Sequence, residues 1–216
     1  MEYFILDGYV TEYITLNREL CSLYKHLAYF DTDISRVYAM LERRYNILEP
    51  IVKSINEKVF VMQWQEMILE LAEIYSECFE KKLDMAFAKF KKPKQSLFDE
   101  ANSLGEKSIH YYSLLIGYLD GEFKKEGEKA LDDINTIITV KLSLARLYSK
   151  FVFDETKKKV ENLCKSLRFY EAVLKFMKSK ELEKFKNEIS EQIRICEEIL
   201  YLLPLKINKV QNGDEI

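Results

Sequence analysis

Residues 71–76 read Leu-Ala-Glu-Ile-Tyr-Ser, and residues 144–149 read Leu-Ala-Arg-Leu-Tyr-Ser. Each segment is followed by a second match, because residues 107–112 read Lys-Ser-Ile-His-Tyr-Tyr and residues 165–170 read Lys-Ser-Leu-Arg-Phe-Tyr. A segment with Leu-Ala-x-x-Tyr is therefore twice followed by a segment with Ser-x-x-x-Tyr. The chain contains an internal similarity, and the spacing of its apolar residues is that of α-helices.

The repeated residues predict pairs of closely packed helices. A small residue in each first helix, Ala72 or Ala145, lets the next helix approach, and the tyrosine fills the space beside it. This alternation of small and large residues is typical of tetratricopeptide hairpins. The spacing is irregular, with 36 residues from Ala72 to Ser108 and 21 from Ala145 to Ser166. We therefore predict an all-α, tetratricopeptide-like α-solenoid of antiparallel helical hairpins. The alternative is an ordinary helical bundle in which similar packing recurs by chance.

The composition also favours helices. The 216 residues include only 6 Gly and 3 Pro, too few for a turn-rich sandwich or barrel. The periodic segments predict seven helices, some of them unusually long, near residues 11–29, 33–48, 57–88, 96–119, 126–152, 156–178 and 181–203. One helical repeat domain is predicted over residues 1–207, with a flexible tail over residues 208–216.

The helix ends are predicted from capping and breaking residues. The predicted N-caps are Thr11, Asn56 and either Asp154 or Thr156. Asp31-Thr32-Asp33 is predicted to end the first helix and to cap the second. Pro50 is predicted to end the second helix, and Asp120-Gly121 and Gly127 to mark a connection. Pro204 is predicted to end or kink the last helix.

Several classes of function are disfavoured. The formal net charge is −3, so no global field attracts nucleic acid. His26 and His110 have no partner at metal-ligand spacing other than Glu106, and no HExxH, P-loop or GxSxG motif is present. We therefore predict a protein that is not an enzyme and has no catalytic residue, metal or cofactor. A helical-bundle enzyme or metal carrier is the rival from a different class.

The cysteines and the apolar runs indicate a compartment. Four separated cysteines, none in a CxxC pair, are expected to be free thiols in a reducing cytosol. The apolar runs are too short to span a bilayer, so no membrane insertion is predicted.

Five glutamates share one face of the predicted third helix. We call the following residues the glutamate stripe: Glu66, Glu70, Glu73, Glu77 and Glu80. Their spacing keeps them within about 80° of one another, and each adjacent like-charge pair costs roughly 0.2–0.5 kcal/mol. The stripe is predicted to be an acidic groove wall for a basic partner. The alternatives are a solvated face or neutralisation by lysines of a neighbouring helix.

The second copy carries basic residues at equivalent positions. Arg146 and Lys150 are predicted either to bind an acidic spot on the same partner or to pair internally with the glutamates.

Short segments between residues 6 and 206 keep a recognisable order. They are Leu6-Asp7-Gly8-Tyr9-Val10-Thr11, Leu27-Ala28-Tyr29-Phe30-Asp31-Thr32-Asp33, Arg43-Arg44 before Leu48-Glu49-Pro50, Lys107-Ser108-Ile109-His110-Tyr111-Tyr112, Ala145-Arg146-Leu147-Tyr148, Glu161-Asn162-Leu163, Ser166-Leu167 with Tyr170, and Leu202-Leu203-Pro204-Leu205-Lys206. Together they resemble the C-terminal half of proteins in the KIF-binding protein family.

The resemblance implies a protein-interaction module that binds kinesin motor domains and inhibits their attachment to microtubules. It also implies a cytoplasmic, cytoskeleton-associated protein that regulates intracellular and axonal transport, with indirect links to microtubules and mitochondria. Because the family carries a further N-terminal array of repeats, the chain is expected to be a fragment or a short relative. The alternative function is a generic tetratricopeptide-like scaffold that binds a basic peptide or helix in its groove. No particular oligomeric state is predicted.

Overall fold

The computed structural model describes residues 8–90, 93–125 and 131–213. Within these ranges the chain forms seven α-helices, a short 3-10 helix over Lys180–Phe185, and no strand. The α-helices are α1 (Val10–Phe30), α2 (Ile34–Ser54), α3 (Val61–Lys89), α4 (Gln95–Lys125), α5 (Leu131–Lys150), α6 (Thr156–Met177) and α7 (Ser190–Asn212). The prediction of an all-α chain with unusually long helices is confirmed.

The chain divides into two compact units at Tyr111 and Tyr112, inside α4. In the first unit, α1 packs on α2 and α2 packs on α3. In the second unit, α5 packs on α6 and α6 packs on α7. Packing between sequence neighbours joined by short connections is typical of antiparallel hairpins, as predicted for an α-solenoid.

The internal similarity corresponds to the same contact made twice. The Ser108 hydroxyl donates a hydrogen bond of 2.7 Å to the carbonyl oxygen of Ala72, and the Ser166 hydroxyl donates one of 2.7 Å to the carbonyl oxygen of Ala145. All four residues are 0% exposed. The alanines therefore bring the backbone of one helix within reach of a serine on the next. We call each of these hydrogen bonds a serine–alanine latch.

Aromatic rings stack beside each latch. The rings of Tyr75 and Tyr111 are stacked with centroids 5.7 Å apart, and those of Tyr148 and Phe169 are stacked at 5.2 Å. These rings occupy equivalent positions of the two copies. The internal similarity is therefore a structural repeat of the α3–α4 and α5–α6 pairs.

A lysine covers the tyrosine of each pair. The Lys107 ammonium lies 4.9 Å from the ring centroid of Tyr75, and the Lys165 ammonium lies 5.7 Å from that of Tyr148. Both lysines directly precede the latch serines, so the latch also sets the position of a cation–π contact.

The proline in α2 does not end the helix. α2 continues through Pro50 to Ser54, so the prediction of a stop at this position is wrong. Ile51 and Val52 are both buried beyond the proline. An interior proline costs a helix about 3 kcal/mol, which the burial of two aliphatic side chains at about 1.5–3 kcal/mol each offsets.

The last helix continues past its proline for the same reason. α7 runs through Pro204 to Asn212, with Leu203 and Ile207 buried on either side of it. It ends at Gly213, whose φ of 81° is the left-handed conformation common after helices. The helix therefore passes the residue 208 boundary assigned to the tail, and residues 214–216 lie outside the described ranges. The single predicted helix over 181–203 is instead the 3-10 helix followed by α7.

The prediction that Asp31-Thr32-Asp33 separates α1 from α2 and caps α2 is confirmed. The Asp33 carboxylate accepts hydrogen bonds from the backbone N–H groups of Ser35 (2.8 Å) and Arg36 (3.1 Å). These bonds satisfy two of the unpaired donors at the helix start.

Three other predicted caps are wrong. The observed N-cap residues, none with a side-chain capping hydrogen bond, are Tyr9 for α1, Phe60 for α3 and Glu155 for α6. Asn56 instead accepts from the Lys58 N–H at 3.0 Å and shapes the turn before α3. A capping side chain stabilises a helix by about 1 kcal/mol. The burial of a large first-turn side chain such as Trp64 contributes more stabilisation than that.

The predicted connection at Asp120-Gly121 is also wrong, because α4 runs through both residues to Lys125. Gly127, the other residue of that prediction, lies outside the described ranges.

We predict that the two latches have similar strengths. Ser108→Ala and Ser166→Ala should each lower the free energy of unfolding by about 1 kcal/mol, because each removes a buried hydrogen bond while its acceptor carbonyl keeps its helical partner. Urea denaturation measures the change. Ser113→Ala, at an exposed serine of α4, is the control and should cost nothing. Unchanged stability in both latch variants would contradict the prediction.

Candidate functional site

The glutamate stripe lies along α3, on a different face from the residues that anchor this helix in the core. Met67, Leu71, Ile74 and Cys78 are fully buried. Of the five glutamates, three are exposed (Glu66, Glu73 and Glu77) and two are half-buried (Glu70 and Glu80). The structure therefore brings all five predicted glutamates onto one accessible face.

Arginines of α1 and α2 pair with part of the stripe. Arg18 forms an ion pair with Glu66, and its Nε lies 3.8 Å from a carboxylate oxygen of Glu70. Arg44 Nη2 donates to the other Glu70 oxygen at 3.3 Å, and Arg44 Nη1 lies 3.8 Å from Glu77. In these contacts arginines of two neighbouring helices neutralise part of the stripe. The alternative derived from the sequence was neutralisation by lysines of one neighbouring helix.

Arg44 is the most deeply buried of these charges. Its side chain is 3% exposed, while the Glu77 side chain is 51% exposed. It lies in the buried row of α2, with Leu41 before it and Leu48 after it. A buried guanidinium costs several kcal/mol unless a carboxylate compensates it. Arg44 therefore ties the buried face of α2 to the acidic face of α3.

The electrostatics of Glu73 show the effect of crowding. Loss of hydration is the largest cause that raises the pKa of Glu73, and the charges of Glu77 and Glu70 raise it further, while Lys25 and Arg44 oppose the shift. The side chain nevertheless keeps solvent-accessible surface. A positive group placed against it would relieve the repulsion. Arg18 and Arg44 pair with Glu66, Glu70 and Glu77, while Glu66, Glu73 and Glu77 stay exposed, so this face presents carboxylates that suit a basic partner.

The two predicted basic contact residues lie in the second unit. Arg146 is exposed and Lys150 is half-buried, one turn apart on α5. Burial raises the pKa of Tyr170, and the charge of Arg146 partly opposes that rise, so Arg146 lies within electrostatic range of this tyrosine of α6. Both basic residues have contacts within the protein.

A second polar centre in the first unit was missed by the sequence analysis. Glu49 accepts hydrogen bonds from the hydroxyls of Tyr75 (2.8 Å) and Tyr111 (2.9 Å) and pairs with the Lys53 ammonium at 2.9 Å. Burial raises the pKa of Glu49, but the hydrogen bonds from Lys53, Tyr75 and Tyr111 together hold it below the ordinary range of a glutamate. This carboxylate therefore supports the aromatic stack beside the first latch.

The sequence analysis also missed the two arginines that pair with the stripe, although their positions in the sequence are informative. Arg18 and Arg44 each occupy the spacing of a buried helix row, Arg18 between Ile14 and Cys21. A charged residue at such a position indicates an internal partner, but the spacing alone does not say which one.

An open cleft of about 520 Å³ lies between α2, α3 and α4. The Lys82 ammonium, which lines this cleft, pairs with the Glu100 carboxylate at 3.0 Å and lies 5.2 Å from the ring centroid of Tyr38. Its charged groups therefore serve contacts within the first unit.

Across the described ranges, no group of three or more His, Cys, Asp or Glu side chains is arranged to hold a metal ion. In the same ranges, no helix combines the length and apolar character needed to cross a bilayer. The four cysteines are free thiols, as predicted.

A family model described as KIF-1 binding protein C terminal matches residues 1–210. This chain belongs to that family. It is 34% identical to the KIF-binding protein of Danio rerio over 98% of its length, 28% identical to that of Homo sapiens over 96%, and 26% identical to that of Dictyostelium discoideum over 95%. The match covers 33% of each of these proteins, so the chain spans about a third of the length of the curated relatives. No solved structure matches it. The resemblance to the KIF-binding protein family is thereby confirmed.

We predict that Arg44 is essential for stability. Arg44→Met should lower the free energy of unfolding by about 3 kcal/mol, because it leaves half-buried Glu70 without its closest cation. Adding Glu70→Gln to this variant should recover part of the loss, as measured by chemical denaturation of both single variants and the double variant. Arg36→Met is the matched control, since Arg36 pairs with Asp31 at the surface and its loss should matter far less. Equal losses from both arginines would contradict the prediction.

We predict an acid-sensitive contribution from Glu49. Because its pKa is lowered in the folded state, its stabilisation is present above the unfolded pKa and is lost as pH falls through the folded pKa. Glu49→Gln should therefore cost about 2 kcal/mol at neutral pH. The difference from the unmodified chain should shrink between about pH 5 and about pH 3. Urea unfolding across this range measures it, and a gap that widens toward low pH would refute the assignment.

Proposed function

We propose that this chain binds kinesin motor domains through the glutamate stripe and keeps them from attaching to microtubules. The observation that carries the proposal is the accessible acidic face of α3 in a chain that belongs to the KIF-1 binding protein C terminal family. Its relatives from Danio rerio and Homo sapiens are named KIF-binding proteins.

Charge complementarity supports the motor's track-binding face as the target. Tubulin is acidic, so the motor surface that holds it must be basic, and an acidic stripe competes for the same surface. Loss of hydration raises the pKa of Glu73, and the neighbouring charges of Glu77 and Glu70 raise it further, so a lysine or arginine of the motor placed against this carboxylate would be favoured. The interaction should weaken as salt screens it.

The proposed action is occupation of a surface rather than catalysis. By withholding motors from their tracks the chain would regulate intracellular transport in the cytoplasm, with cytoskeletal association and indirect effects on mitochondrial position. Arg146 and Lys150 are proposed to contact an acidic spot on the same motor.

Cosedimentation of a purified kinesin motor domain with microtubules tests the proposal. The motor is held on microtubules with a non-hydrolysable nucleotide, and the full chain is added at low and at moderate salt. We expect the chain to shift the motor into the supernatant, more strongly at low salt. A motor that remains on the microtubules and shows no binding to the chain in a direct pull-down would overturn the proposal.

We predict that charge reversal in the stripe weakens motor binding more than it lowers the melting temperature. Glu66→Lys with Glu73→Lys should reduce motor affinity at least about tenfold. The Glu66 pair with Arg18 is half-exposed, so its loss should change stability little. Affinity is measured by fluorescence anisotropy and stability by thermal unfolding.

The control for this variant carries the same change of net charge. Glu161→Lys with Glu171→Lys replaces two exposed glutamates of α6 and should leave motor affinity unchanged. Equal affinity of the stripe variant and this control would end the acidic-groove hypothesis. Failure to bind motors combined with binding of a basic helical peptide would favour the generic scaffold instead.

A further inference from the structure

Each structural repeat stacks three aromatic rings beside its latch. We call these stacks the first platform and the second platform, and their rings are Tyr45–Tyr75–Tyr111 and Phe151–Tyr148–Phe169. The middle rings are Tyr75 and Tyr148, and a lysine ammonium lies over each of them, that of Lys107 or that of Lys165. The two repeats therefore build the same arrangement of rings and cation.

The first platform also holds a carboxylate. Glu49 accepts a hydrogen bond of 2.8 Å from the Tyr75 hydroxyl. Burial is the largest cause that raises the pKa of Tyr75, and the hydrogen bond and charge of Glu49 raise it further. The middle ring of the first platform thus contacts a cation over its face and an anion at its hydroxyl.

The second platform lacks this carboxylate. Burial raises the pKa of Tyr148 without a contribution from any acidic group. Across the described residues no group accepts a hydrogen bond from the Tyr148 hydroxyl, and the residue is only half-buried, so the hydroxyl reaches solvent. The group that Glu49 supplies to the first platform is therefore missing from the second.

The charges beside the second platform favour an anion. Lys165 and Arg168 lie three residues apart on one face of α6, and both are exposed. Arg168 takes the position of His110 in the first repeat, so a permanent cation replaces a group that is mostly neutral. Within the described ranges neither cation forms an ion pair, although Glu161 and Glu171 belong to the same helix.

We propose that Tyr148 and Lys165 form a binding site for a carboxylate on an acidic segment of a partner protein. The carboxylate accepts a hydrogen bond from the Tyr148 hydroxyl, as Glu49 does from Tyr75, and pairs with the Lys165 ammonium. Arg168 attracts a second acidic residue of the same segment. A partner side chain thereby completes in the second repeat what α2 completes in the first.

This site is separate from the glutamate stripe and does not depend on motor binding. The stripe presents carboxylates to a basic partner, whereas the second platform presents cations and a hydroxyl donor to an acidic one. The two sites lie on different repeats, so a chain with a mutated stripe should still bind an acidic segment.

NMR titration of the ¹⁵N-labelled full chain with a hexaglutamate peptide tests the proposal. We expect the backbone signals around Tyr148 and Lys165 to shift, with a dissociation constant on the order of 0.1–1 mM for so short a probe. Absence of any shift of these signals up to about 10 mM peptide would overturn the proposal.

Two variants show whether the shifts come from the predicted contacts. Tyr148→Phe with Lys165→Gln keeps the stacked ring but removes the hydroxyl and the cation, and should raise the dissociation constant at least about tenfold. Circular dichroism shows that this variant is folded. The matched control is Lys107→Gln, at the equivalent position of the first repeat, and it should bind normally because Glu49 already occupies that platform. Equal weakening in the control contradicts the proposed site.

A phosphate-bearing partner is distinguished by the same titration with a thymidine hexanucleotide. We expect hexaglutamate to bind more tightly, because the first platform holds a carboxylate. Tighter binding of the oligonucleotide at the same residues, lost in the same double variant, would overturn the assignment of the site to an acidic protein segment.

Discussion

The close approach of helices at Ala72 and Ala145 is the constraint on which the hairpins depend. A side chain larger than alanine would hold the next helix away, and the serine hydroxyl would no longer reach the backbone carbonyl. The hydrogen bond is worth only about 1 kcal/mol, but it determines where one helix sits on the other. The stacked rings and the lysines above them take their positions from that contact. A weak interaction thus specifies the register of a large apolar interface.

The same constraint turns α3 into a helix with two different faces. Ala72 is in the latch, and the next residue, Glu73, belongs to the stripe. One face of α3 therefore packs at close range while the other accumulates negative charge. Arg44 joins the acidic face of α3 to the buried row of α2, since its buried guanidinium is stabilised by carboxylates that remain partly in water. Removal of either member would leave the other charge uncompensated in a partly dehydrated environment. The acidity of the surface and the order of the core are thereby coupled.

The sequence predicted those features that depend on neighbouring residues. The repeated Leu-Ala-x-x-Tyr and Ser-x-x-x-Tyr segments identified the hairpins, because helix contacts follow local spacing. Helical periodicity also placed the five glutamates on one face. Features that depend on tertiary contacts were missed. The sequence predicted a helix end at Pro50, but α2 continues through it because Ile51 and Val52 are buried. Arg44 and Glu70 are 26 residues apart, and no local pattern connects them. The partner of the stripe depends on a second molecule and remains a proposal.

The two latched pairs differ in how far their helices extend. The latch partners are 36 residues apart in the first pair and 21 in the second, yet the hydrogen bonds have the same length. α3 continues from Ala72 to Lys89, whereas α5 continues only from Ala145 to Lys150. The first hairpin therefore continues further beyond its latch, and we call this continuation its arm. The Phe87 and Phe98 rings contact each other near the end of the arm. Growth or shortening of this arm leaves the latch undisturbed, so evolution can vary the reach of a hairpin separately from its packing.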